Sequence, residues 1–395
     1  MTEACDKLSR MFSSSVGRRF TGIVAGVLVL LTFDAGQGPA TSPDQRAPTG
    51  FRNAKPGYVY RFPFDHGTHD DFRIEWWYYT GHLRTNDGRR FGYQVTFFRR
   101  AADLEKVAGN QSAWAIRHLF LAHVALTDPD GKRFRYAEKI SRAALGKAGA
   151  EAGRLHVWLD QWSAEAAPSS HGPHRLLAGG EDFALDLTVT PDQPPVVHGE
   201  YGVSRKGAAP HETSHYYSFP RLMTTGVVTV EGKSYTVDGL SWMDHEFGSG
   251  DLGSDLSGWD WFSLQLADNT SLMLYCLRRT DGSLAPASSG TVIFPDGRTR
   301  HLSYADVQVE TLAHWLSQTS GARYPSRWHM TVPSLTLDVE LRPLLADQEL
   351  VTVHSTQVTY WEGAVTASGT QRGAAITGQG YVELTGYAKP IKKRL

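Results

Sequence analysis

The sequence predicts an all-β protein built as two tandem antiparallel β-barrel domains, and three observations lead there. Short alternating runs separated by turn residues fill nearly the whole chain. Segments recur in the same order in its two halves. One stretch alone, Tyr304 to Ser317 (YADVQVETLAHWLS), carries a helical reading, and Val307 and Val309 within it also alternate.

The hairpins justify the strands. Asn86-Asp87-Gly88 separates HLRT from RRFGYQVTFFRR, Pro129-Asp130-Gly131 separates HVALT from KRFRY, and Glu231-Gly232-Lys233 separates GVVTV from SYTVDG. Asn, Asp and Gly accept the positive φ of tight hairpins, and period-2 alternation beside them gives each strand a core face.

The repeat sets the domain count. Trp76 to Leu83 (WWYYTGHL) lies on Trp259 to Leu266 (WDWFSLQL), and YQVTFFRR from Tyr93 on LMLYCLRR from Leu272. FALDLTVTP from Phe183 matches LTLDVELRP from Leu335, GVVTVEG from Gly226 matches GAVTASG from Gly363, and GLSWMDHEF from Gly239 matches GQGYVELTG from Gly378. Alternating strands resemble one another singly, but a shared order implies two copies of one β-unit. An N-terminal domain over 57–248 and a C-terminal domain over 258–395 follow, joined by GSGDLGSDLS. Units of this size with regular hairpins favour up-and-down, lipocalin-like barrels, which enclose a small apolar ligand, over packed sandwiches.

Ahead of the domains, Arg18-Arg19 precedes the apolar run Ile23 to Phe33 and then small residues, the order of a signal peptide over 1–40. That run is short against the roughly 17–25 residues of a membrane span, so export is expected, with membrane contact only through the signal. A linker is expected over 41–56. Cys5 lies ahead of the signal and Cys276 is the one cysteine behind it, so neither a disulfide framework nor a thiolate metal cluster is expected.

Composition narrows the partner. A net charge of -1 and a pI near 7.0 supply no basic field for nucleic acid. The 11 Trp, 16 Tyr and 17 Phe suit a ring-lined cavity or a well-packed β-core. A small hydrophobic ligand is therefore the expected partner.

The chemistry concentrates in GLSWMDHEFGSG. In a strand Trp242, Asp244 and Glu246 share one face while Met243, His245 and Phe247 share the other, so His245 and Glu246 cannot ligate one ion, and no H-E-x-x-H is present. No metal and no cofactor are expected, and His245 reads as a packed histidine. A carboxyl held against an indole loses hydration and stays protonated, ready to act as an acid. Asp244 with Trp242, Glu75 with Trp77, and Asp260 between Trp259 and Trp261 all fit that description, or mark strand ends. SHYYSFPRL adds Tyr216, Tyr217 and Arg221, the last as a candidate carboxylate partner. No G-x-S-x-G elbow, phosphate loop or dinucleotide fingerprint sits where a strand-to-helix turn would use it.

Taken in order, EWWYYTGHL, YYSFPRL, WMDHEFG and GWDWFSLQL resemble the family of carotenoid 1,2-hydratase (hydroxyneurosporene synthase) and the AttH-like exported lipocalin-like proteins described as predicted secreted hydrolases. The resemblance covers about residues 55–390 and extends to fungal kievitone hydratase and lipocalin-like Diels–Alderases. It implies two lipocalin-like domains with a ligand cavity. It also implies protonation of a C=C bond by Asp244, with Trp242, Tyr217 and Trp77 as ring faces toward the cation. The activity expected is hydration or hydrolysis of a carotenoid, terpenoid or lipid in the periplasm or outside the cell. The alternative is a carrier that delivers an apolar ligand to an envelope ABC transporter.

Overall fold

The computed structural model describes residues 50–104, 112, 115–167 and 172–391. The expected signal over 1–40 and most of the expected linker lie outside them. Where the linker was expected to end, Phe51 and Ala54 are buried.

Thirteen strands form the first sheet: β1 (Ile74–Arg84), β2 (Arg90–Ala101), β3 (His118–Asp128), β4 (Arg133–Arg142), β5 (Ala148–Ala150), β6 (His156–Leu159), β7 (Trp162–Ala166), β8 (His174–Gly179), β9 (Phe183–Pro191), β10 (Val196–Val197), β11 (Ser204–Arg205), β12 (Thr213–Val230) and β13 (Lys233–Gly248). Ten form the second: β14 (Leu256–Leu266), β15 (Ser271–Arg279), β16 (Ser289–Ile293), β17 (Thr299–Ser303), β18 (Gln308–Leu316), β19 (Arg323–Val332), β20 (Leu337–Pro343), β21 (Glu349–Val351), β22 (Thr359–Gln371) and β23 (Ala374–Leu384). Every paired strand is antiparallel, and each sheet curls about its own apolar core, the tandem lipocalin-type architecture.

The sheets repeat one topology. The first runs β4-β3-β2-β1-β13-β12-β9-β8-β7 and the second β17-β16-β15-β14-β23-β22-β20-β19-β18, position for position. Pairing register agrees with the sequence repeat at the centre: Tyr78 lies opposite Asp244 and its counterpart Trp261 opposite Glu383. At one place the alignment slips. Gly226 pairs with Leu187 and Gly369 with Val339, so the counterpart of Gly226 is Gly369, six residues beyond Gly363. An even slip preserves which side chains face inward, so the alternating pattern could not detect it. At both glycines a Cβ would collide with a neighbouring strand's carbonyl, of Asp186 and of Asp338 respectively.

The Glu231-Gly232 turn has φ of 51° and 78°, the positive pair that a two-residue type I′ hairpin needs. The helical reading of 304–317 is overturned. Tyr304–Asp306 is one 3-10 turn with Ser303 and Asp306 in a capping box, and Gln308–Leu316 is an edge strand, whose exposed face carries the polar residues that had simulated a helix. No helix among the described residues is long and apolar enough to cross a membrane.

Between the barrels lies a third core, of Tyr78, Tyr216 and Trp242 from the first sheet and Trp261, Met273, Tyr275 and Tyr381 from the second. Hydrogen bonds cross beside it: Gln265 Nε2 donates to the carbonyls of Pro220 at 2.8 Å and Ser241 at 2.9 Å, and Thr127 Oγ1 to Gln348 Oε1 at 2.7 Å. The central strands are thus buried on both faces, which removes the usual alternation of buried and exposed positions.

Candidate functional site

The face of β13 that carries Trp242, Asp244 and Glu246 points away from the first barrel's interior, into the layer between the barrels. The sequence left open whether that face looks into a barrel. With both faces of the strand buried, period 2 separates the faces but does not say which is inside.

Asp244 is 4% exposed and ringed by donors. Tyr216 OH donates to Oδ2 at 2.6 Å, while Trp242 Nε1, at 2.6 Å, and Ser218 Oγ donate to Oδ1. Behind Ser218 stands His198, with Nε2 2.6 Å from the serine oxygen and Nδ1 2.9 Å from Thr291 Oγ1 on the second barrel. Burial drives the Asp244 carboxyl up to about 7, against the pull of its three hydrogen bonds and with a push from the Glu246 charge. Glu246 is paired with Lys206 at 2.7 Å. Burial works against the Lys206 ammonium, but the Glu246 carboxylate holds its pKa above the ordinary lysine value.

The second barrel faces the same layer with carboxyls of its own. Glu362 accepts a hydrogen bond from Tyr78 OH at 2.7 Å, and burial, with the charge of Glu383, raises its pKa well above the usual carboxylate range. Glu383 accepts from Trp259 Nε1 at 2.8 Å, and burial raises it to about 7. A cleft of about 700 Å³ opens nearby between Asn53–Pro56, the 200–213 segment and the second barrel. Its wall includes Tyr275, over whose ring Lys206 Nζ sits at 4.6 Å. Lys206 also lies 5.4 Å from the Tyr216 ring, so a short chain of contacts joins cleft and Asp244.

A second polar centre occupies the first barrel's interior, on the other face of the same strands. Glu75 Oε1 accepts from His69 Nδ1 at 2.7 Å and His245 Nε2 at 2.9 Å. Its Oε2 accepts from Arg99 Nε at 2.9 Å and from His69 N and Thr68 Oγ1 at 3.0 Å. His245 Nδ1 lies 3.0 Å from Tyr217 OH, which is 2.7 Å from His66 Nδ1, and the His245 ring stacks on Trp77 at 4.8 Å. Burial alone would raise Glu75, yet the Arg99 charge and the two imidazoles hold it well below the usual range. Burial opposes the His69 charge, but Asp65 and Glu75 overcome it and raise the imidazole to about 9. Burial lowers His245, leaving it neutral. His69, Glu75 and His245 bring three ligand atoms within 4.8 Å of one another. With Arg99 on the same carboxylate and both imidazoles bonded to one oxygen, this geometry suits a proton held on His69 better than a divalent cation.

The comparisons with known proteins agree with this architecture. A family model described as AttH-like matches residues 53–387. The chain belongs to the AttH-like family. A protein of Nitrosomonas europaea whose crystal structure is assigned to AttH is 37% identical and superposes with a TM-score of 0.77, covering 85% of this chain and 99% of that one. Dehydratase asqC of Emericella nidulans is 24% identical over 53% of this AttH-like chain and 60% of its own length. Kievitone hydratase of Fusarium solani subsp. phaseoli is 24% identical over 53% of this chain and 59% of its own. The chain thus spans about 60% of the length of these two relatives.

The residues singled out in the sequence separate into distinct places. Trp242, Asp244 and Tyr216 meet in the layer between the barrels. Tyr217, Trp77 and Glu75 do not join them: each is one residue out of phase, which in a strand means the opposite face. Asp260 pairs with Arg278 and accepts from Tyr387 OH at 3.0 Å, and burial lifts it to about 6, away from the Asp244 layer. Arg221 sits at the β12 bulge with Asp192 and Asp268 as its charged neighbours and, among the described residues, makes no ion pair with a buried carboxylate. His245 is packed, as read, but as a member of a network. Sequence reasoning missed His198, Ser218, Lys206, Glu362, His69 and Arg99. Glu383 alone had a signal, its alignment with Asp244.

Proposed function

We propose that this AttH-like chain is an exported hydratase or dehydratase that binds a small hydrophobic alkene between its two barrels and uses Asp244 as the acid. One observation carries the reading: a carboxyl shielded from water, raised to about 7, and placed among Trp242, Tyr216, Tyr78 and Trp261. Such a group holds its proton near neutrality and delivers it against an aromatic wall that tolerates developing positive charge. Protonation of a trisubstituted C=C bond by Asp244 uses the π pair to form C–H and leaves a tertiary cation. Water adds at that carbon, and its proton leaves to a base. Dehydration is the reverse. The names of the two relatives, a dehydratase and a hydratase, describe the two directions of this class of reaction and support it.

The cleft offers the approach, with Tyr275 in its wall and Lys206 behind it over the Tyr275 ring. Asp244→Asn, tested with geranylgeraniol as the probe and ¹⁸O-labelled water, is expected to lower turnover by about 10²-fold or more while leaving ligand affinity within threefold. Binding without turnover in the unaltered protein favours the alternative, a carrier that passes an apolar ligand to an envelope transporter.

A further inference from the structure

Asp244 has a counterpart across the layer. Tyr78 opposite Asp244 in the first barrel is equivalent to Trp261 opposite Glu383 in the second. Both aromatics reach into the other barrel: Tyr78 OH donates to Glu362, the cross-strand neighbour of Glu383, at 2.7 Å, and Trp261 Nε1 donates at 3.1 Å to the Tyr216 hydroxyl that serves Asp244. The exchange is reciprocal, so the two carboxyl systems confront each other over one shared layer.

The two carboxyls differ in how they are held. Asp244 takes three donors on two oxygens and is nearly sealed. Glu383 is half-buried, and among the described residues its one hydrogen bond is Trp259 Nε1 on Oε2, which leaves Oε1 open. Between them Glu362, 1% exposed, has an Oε2 without a hydrogen-bond partner among the described residues. A buried carboxyl oxygen is normally satisfied, so this atom is left available to a polar group such as a water or a substrate hydroxyl.

We propose that Glu383 is the proton acceptor that works opposite Asp244, so that the reacting centre is complete only with both barrels. The assignment rests on Asp244 being the acid. In hydration Asp244 gives its proton to the alkene carbon, water forms the new C–O bond at the cation, and Glu383 takes the proton that the oxonium loses. One proton then returns from Glu383 to Asp244 and the cycle balances as alkene plus water to alcohol. In dehydration Glu383 protonates the leaving hydroxyl and Asp244 takes the proton from carbon. Burial brings both groups to about 7, and each raises the other's cost of ionisation, so near neutrality one carries the proton while the other is charged. Glu246, Glu362, Lys206, Tyr78, Tyr216 and Tyr360 are titratable groups that face them, and His198 stands behind Ser218 and Tyr216.

The test uses the full chain with Glu383→Gln and Glu383→Asp, hydration of geranylgeraniol, and infrared titration of the carboxyl C=O bands. The expected result for Glu383→Gln is a fall in kcat of about 10²-fold, KM within threefold, and loss of the acid-side limb of the pH–rate profile, with Glu383→Asp restoring part of both. In Glu383→Gln the Asp244 band is expected to titrate lower, because the repulsion between the two carboxylates is mutual and is gone. Turnover at the unaltered rate, or retention of both limbs, overturns the role of Glu383 and leaves Asp244 standing. Full activity in Asp244→Asn, or an unaltered protein inert toward the probe, overturns the acid reading first and the acceptor with it. An unmoved Asp244 band in Glu383→Gln overturns the shared layer even without turnover.

Discussion

Replacing Asp244 by Asn is predicted to stabilise the protein above neutrality and to destabilise it in acid. The native carboxyl holds its proton to about pH 7, whereas an unfolded one releases it near 3.8. Its contribution to stability is therefore full below about pH 4 and is lost as pH rises toward 7, because the folded state binds the extra proton. A displacement from 3.8 to about 7 corresponds to ~4 kcal/mol over that window. The amide cannot ionise, so it escapes this loss. It does forfeit a hydrogen bond, since its Nδ2 meets the Tyr216 hydroxyl, which now donates to Oδ2 and already accepts from Trp261. That costs about 1–2 kcal/mol at every pH. The variant is then expected to be less stable than the unaltered protein by about 1–2 kcal/mol at pH 4 and more stable by about 2–3 kcal/mol at pH 8. Urea unfolding followed by tryptophan fluorescence at both pH values measures this. If the two stability curves run parallel between pH 4 and pH 8, Asp244 is not a carboxyl whose proton is held by burial.

Other perturbations probe the rest of the molecule. Glu75→Gln removes the charge that compensates buried Arg99 and is expected to cost about 3–5 kcal/mol in urea unfolding. His69 is raised to about 9, so its ion-pair contribution is full below about 6.5 and is lost as pH rises through 9. Imidazole NMR should show that titration, and Asp65→Asn should lower its midpoint. Gly369→Ala forces a methyl onto the Asp338 carbonyl in the second barrel and is expected to lower stability by about 1–3 kcal/mol. Trp261→Phe removes the N–H that crosses to Tyr216 and is expected to cost about 1 kcal/mol, while leaving the His69 titration unchanged.

Local signals reached far into the fold. The Asn86-Asp87-Gly88 and Glu231-Gly232 turns depend only on backbone conformations that those residues allow, and alternation beside them depends only on a strand's two-fold pleat, so both could be read without tertiary contacts. The repeat added the topology, since copies in the same order curl into the same sheet. Its limits were equally physical. A six-residue slip at Gly363 kept every face in phase, and one edge strand presented its polar face in a pattern that also suits a helix.

For the site, the strand period placed Trp242 and Asp244 on one face and His245 on the other, and no more. It was the curling of two sheets and their packing against each other that turned one face into the layer between barrels and the other into the first barrel's interior. That packing set Glu383 and Glu362 opposite Asp244 and gathered His69, Glu75, Arg99 and His245 from three strands and a preceding turn. The sequence by itself determined two tandem β-units and which side chains of a strand share a face, because a repeat and a two-residue period are both carried by the order of residues along the chain. Which carboxyls confront one another, and how far burial raises them, only the tertiary structure decided, because desolvation and charge coupling depend on distances through space between residues more than a hundred positions apart.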